Sequence, residues 1–175
     1  EAFPRVSPAG RKIAKEGRLV MEVREALALA DWGAAASWAP LSALLDRLLS
    51  EGSEQEEADA ARRELLDKRE AVMVELRAAM EGNRSVRRPE GGWDHSQIDC
   101  ERLDAAAAEC GAFPKRSAEM SELESSAGVA SGLRRALKQV EGEEPSTWAA
   151  VLGVLEAISL PEHQAMAEVT DAWHE

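Results

Sequence analysis

Apolar residues recur at intervals of three and four along most of this chain, which is the period of helices that bury one face. Ser7-Pro8 offers an N-cap followed by proline at the first helical position, and Ile13, Val20, Val23, Leu27 and Ala30 keep a stripe behind it. A first helix is therefore expected from about Pro8 to Ala30. Asp31-Trp32 is expected to restart a second helix that Pro40 interrupts, since proline removes a backbone donor and crowds the turn before it. Leu41, Leu44, Leu45, Leu48 and Leu49 then resume the stripe up to Glu51-Gly52. Ser53-Glu54-Gln55-Glu56 has the spacing of a capping box, with acidic residues crowding the first turn. The helix it opens carries Ala58, Ala61, Leu65, Val72, Leu76 and Ala79, flanked by Leu66, Met73 and Met80, as far as Gly82-Asn83.

The pattern dissolves between Asn83 and Gln97 into Arg, Pro, Gly and Asp, and Arg87-Arg88-Pro89-Glu90-Gly91-Gly92 reads as a loop. This places an organisational boundary there: a helical segment 1–82, an Arg/Gly/Pro loop 83–97 and a helical segment 98–175. Beyond it the sequence predicts shorter helices. They run from about Ile98 to Cys110, closed by Gly111 and Pro114; from Lys115 to Ala127; from Leu133 to Val140 after breaks at Gly128 and Gly132; from Pro145 to Ile158; and from Pro161 to Trp173. Asp31-Trp32-Gly33-Ala34-Ala35 and Thr147-Trp148-Ala149-Ala150-Val151 resemble each other for one turn, which reads as two similarly capped helices rather than a repeat.

Composition supports the periodicity. Helix formers dominate, tyrosine is absent and only two phenylalanines occur, so strand-favouring residues are scarce. The expected fold is all-α, an antiparallel helical bundle of four or more helices or two small helical lobes. With 45% apolar and 31% charged residues the chain has the balance of a folded protein. No window approaches the apolar length of a membrane span, and the stretch from Trp148 to Leu160 is interrupted by Gly153 and Glu156. A start at Glu1 without an initiator methionine reads as a mature or excised product.

Charge narrows the partners. The net charge of −12 argues against nucleic acid, whose phosphates reward a basic face. Residues 1–88 hold 15 Lys/Arg against 16 Asp/Glu, a net of −1, whereas residues 89–175 hold 6 against 17, a net of −11. The two halves present different electrostatic faces, as in a protein docked by one end.

Candidate chemistry is sparse. Cys100 and Cys110, if on one helix, stand about 15 Å apart and cannot bridge; a disulfide requires Cys100 to precede the helix. His163 and His174 are separated by about 16 Å of helix, too far to grip one ion. His95 with Asp94, Asp99 and Cys100 shows none of the usual zinc spacings and reads as polar loop. No phosphate loop, nucleophile elbow or paired-histidine zinc motif occurs. The carboxylate pairs are those of solvated helix faces, so no catalytic, cofactor or metal residue is assigned. Asn83-Arg84-Ser85 satisfies the glycosylation sequon, meaningful only in a secretory protein. Two segments remain as candidate partner surfaces. One is Arg84, Arg87 and Arg88 with Trp93 in the loop, residue types enriched at binding hot spots. The other is the basic N-terminal segment, Arg5, Arg11, Lys12, Lys15 and Arg18 with only Glu16 between them, suited to an acidic protein or an anionic membrane surface.

The order from Val6 to Met80, a helix, Asp31-Trp32 opening a second, Pro40-Leu41 with its leucine run and a long charged helix, resembles the Q-type extrinsic proteins of the photosystem II oxygen-evolving complex. That resemblance implies a four-helix bundle in the chloroplast thylakoid lumen, non-catalytic and stabilising a membrane complex from its lumenal face, and it carries over no functional residue. The expected role is therefore a helical accessory subunit, without cofactor, whose partners are other protein subunits of a larger assembly and which is at most peripheral to a membrane. The alternatives are an interaction module of a cytoskeletal or scaffold protein, and a small enzyme with a carboxylate site between the halves.

Overall fold

The computed structural model describes residues 7–50, 56–82, 86–87, 93–94, 98–140 and 145–158. Its described elements are α1 (Pro8–Leu29), a 3₁₀ helix (Ala35–Trp38), α2 (Ala39–Ser50), α3 (Glu56–Glu81), β1 (Val86–Arg87), β2 (Trp93–Asp94), α4 (Cys100–Ala112), α5 (Ala118–Lys138) and α6 (Pro145–Ala157). The chain is thus an all-α helical bundle. The strands are two residues each and pair antiparallel, Val86 opposite Asp94 and Arg87 opposite Trp93, so part of the expected 83–97 loop is a small ladder. Packing sorts the chain into two compact units whose boundary falls inside α3, between Glu70 and Ala71, rather than in that loop. The first takes the residues up to Glu70 with Ala112–Lys115; the second takes Ala71–Gly111 and Arg116 onward.

In the first unit, Leu19, Val23 and Ala26 of α1 pack with Trp38, with Leu41, Leu45 and Leu48 of α2, and with Ala58 and Ala61 of α3. Full burial of each leucine stabilises by roughly 1.5–3 kcal/mol, which is why the three- and four-residue spacing decides the fold. Ser7 caps α1 as its sequence predicts, accepting a hydrogen bond from Gly10 N at 3.1 Å, with Pro8 at the first position. The expected stripe holds at Val23, which is buried, and at Leu27 and Ala30, which pack against this core, but Ile13 is 69% exposed and Leu19 and Ala26 supply the other buried contacts. Leu49 and Leu66 are likewise exposed. Ion pairs join α1 to α2 (Glu22–Arg47) and to α3 (Arg24–Glu57, 3.3 Å), and Lys115 pairs with Asp46. All are solvent-screened and contribute at most about 1 kcal/mol each.

Asp31-Trp32 does not restart a helix. Asp31 Oδ1 accepts from Gly33 N at 2.8 Å, Asp31 N donates to Ser37 Oγ at 2.7 Å, and the Asp31 carbonyl accepts from Ala34 N at 3.1 Å and from Trp38 Nε1 at 2.9 Å. A short carboxylate that competes for nearby amides, followed by glycine, favours this turn over a helix. Pro40 interrupts nothing, because it sits second in α2, in the first turn, where a missing N–H costs no helical hydrogen bond. The resemblance between Asp31–Ala35 and Thr147–Val151 is not one of similarly capped helices, since the first lies in this turn and the second within α6. The Ser53 cap of α3 falls outside the described residues; Glu56, Glu57 and Asp59 occupy the first turn, where the helix dipole favours them.

In the second unit, Ile98, Leu133, Ala136 and Leu137 pack with Val151, Leu155 and Ile158. Asp99 caps α4, its Oδ1 accepting from Glu101 N at 3.0 Å and Arg102 N at 3.3 Å. The helix runs through Gly111 to Ala112 rather than closing at Cys110. The expected breaks at Gly128 and Gly132 do not occur, and α5 is continuous. Each glycine costs about 1 kcal/mol in a helix, but Ala127, Ala130, Ser131, Leu133 and Arg134 are buried around them and outweigh it. Arg134, 1% exposed, donates to the Ala79 carbonyl at 3.0 Å and to the Met80 carbonyl. It thereby caps the C-terminus of α3, where Gly82 N already serves the Ala78 carbonyl at 3.0 Å. Ser131 Oγ donates to Asp104 Oδ1 at 2.5 Å while Arg135 holds the other carboxylate oxygen, which pins α4 to α5. The helix expected from Pro161 to Trp173 lies outside the described residues.

Candidate functional site

Of the two candidate surfaces, the structure describes one in full but for Arg5, which lies outside the described residues. Arg11, Lys12, Lys15 and Arg18 all lie on α1 and are all exposed. Between Ser7 and Arg18 no side chain is buried, and the first that is buried is Leu19. The reason is written in the register. Lys12, Leu19 and Ala26 are seven residues apart, close to two full turns, and so lie on one line of the helix. Leu19 and Ala26 on that line enter the core, whereas Lys12 replaces them one step earlier. The apolar stripe ends there and the helix continues past it as a solvated arm.

At about 100° per residue, Arg11, Lys12, Lys15 and Arg18 fall within an arc of about 120°. Lys12 pairs with Glu16 across one turn at 3.8 Å, an exposed contact that leaves the arm strongly positive. Ile13 points about 160° away from the middle of the cationic arc. The arm can therefore offer charge to one surface without committing its single large apolar residue to it.

The loop candidate is only partly placed. Arg87 and Trp93 are backbone partners in the β1–β2 ladder, and Arg84 and Arg88 lie outside the described residues. His95, His163 and His174 also lie outside them. Among the described residues no group of three or more His, Cys, Asp or Glu side chains is arranged to hold a metal ion. Cys100 and Cys110 are both on α4 and both free. Burial raises both thiols above their ordinary pKa, helped by Asp104 at Cys100 and by Glu124 at Cys110. Cys110 Sγ lies 3.8 Å from the Met120 carbonyl inside the protein.

One feature escaped the sequence reading. Trp32, about half exposed, meets the buried Trp38 edge-on with ring centroids 5.2 Å apart, and its carbonyl accepts from the buried Lys68 ammonium. The Asp31 turn thus places a half-exposed indole beyond the end of α1, against the edge of Trp38. Its signal was the Asp-Trp-Gly triplet, which marks a turn by the aspartate and glycine rather than a helix start by the aspartate alone. Comparison with protein-family models, curated proteins and solved structures finds no match to this chain.

Proposed function

We propose that this chain is a non-catalytic helical accessory subunit of a larger protein assembly, held there through the first turns of α1. The observation that supports it is the exposed cationic arm. A helix that outruns its own core and places four cations on one side spends its length on something outside the fold. Two further features fit a docking role: the half-exposed indole of Trp32, and a charge split in which residues 1–88 carry a net −1 and residues 89–175 a net −11. The finer placement, on the lumenal face of a photosynthetic membrane complex, belongs to the same proposal and rests on what remains of that order, α1, the leucine run of α2 and the long charged α3, since Asp31-Trp32 opens no helix.

The test is native electrophoresis of extracts from the source organism, probed for this chain. Migration with a large complex, and release by the quadruple variant R11E/K12E/K15E/R18E, is the expected result. Migration as a free monomer under gentle extraction overturns the proposal. Enrichment in thylakoid lumen fractions tests the compartment separately.

A further inference from the structure

We draw no further inference here: the strongest candidate, the exposed cationic face of the first turns of α1 from Arg11 to Arg18, carries nothing because nothing in the structure shows what covers it.

Discussion

Replacing Arg134 by methionine isolates the contribution of one buried cap. The guanidinium is almost wholly buried and supplies donors to the Ala79 and Met80 carbonyls, two of the last four in α3, which have no intrahelical N–H to receive. Methionine keeps most of the aliphatic stem and removes both donors and the charge. Leaving a buried carbonyl unserved costs about 1–3 kcal/mol. The upper part of that range applies to Ala79, which is 4% exposed. Loss of a cation at a helix C-terminus adds about 0.5 kcal/mol. Relief from burying a charge works the other way and offsets part of this. The net expectation is a loss of about 3 kcal/mol, equivalent to roughly 6–12 °C in Tm for a chain of this size. Chemical denaturation gives the magnitude, and amide hydrogen exchange locates it, with protection falling first at the end of α3. Arg134→Lys should lose less, since the ammonium keeps its charge but lacks the fork that reaches two carbonyls. A methionine variant within about 0.5 kcal/mol of the parent, with α3 protection unchanged, would refute the claim that this guanidinium serves as the cap.

Three other expectations follow from single sites. Cys110 should be alkylated much more slowly than in the unfolded chain, because its folded pKa is raised by burial and then by Glu124. The fold therefore holds its proton more tightly: its contribution is fully present below the unfolded thiol pKa and is lost as pH rises through the higher folded value. A stability-versus-pH curve should fall in that alkaline range and fall less for Cys110→Ala. Gly128→Ala should stabilise by about 0.5–1 kcal/mol, since the site is helical and a β-carbon there meets nothing within 4 Å; a thermal melt showing destabilisation would contradict the open surface. Lys115→Gly should relieve the left-handed backbone at φ 56° by about 1 kcal/mol while giving up the exposed pair with Asp46. Urea titration of Lys115→Gly beside Asp46→Asn separates the two effects.

The helical class was legible because period and composition agree. The apolar faces of α2 and α3 needed only spacing, and Leu41, Leu45, Leu48, Ala58, Ala61, Leu76 and Ala79 are buried as that spacing predicts. Where the buried stripe of α1 begins was not legible. Ile13 and Leu19 are equally good apolar residues, and what separates them is how far the body of the first unit extends along the helix, a tertiary quantity. The glycines of α5 misled for a related reason: propensity prices an isolated helix, whereas burial on both sides of Gly128 and Gly132 decides the real one. At Asp31 two local signals competed, a cap and an Asx turn, and the Trp38 indole settled the outcome by donating to the Asp31 carbonyl from seven residues away. The cations of α1 were readable as a cluster, but their shared arc, and the absence of buried neighbours up to Arg18, required the helix itself. Arg134 gave no sign of its role, because a capping partner distant in sequence leaves no local trace.

The solvated arm of α1 has a consequence for how the protein ages in solution. Cut from its packed half, a segment of about eleven residues would scarcely hold a helix in water, so its order is lent by nucleation further along. It should fray from the Ser7 end inward, offering Arg11, Lys12 and Lys15 to trypsin well before any site within the core. A cleaved population would keep its thermal midpoint while losing the cations through which we propose it docks, so that wear would go unseen in a melting curve.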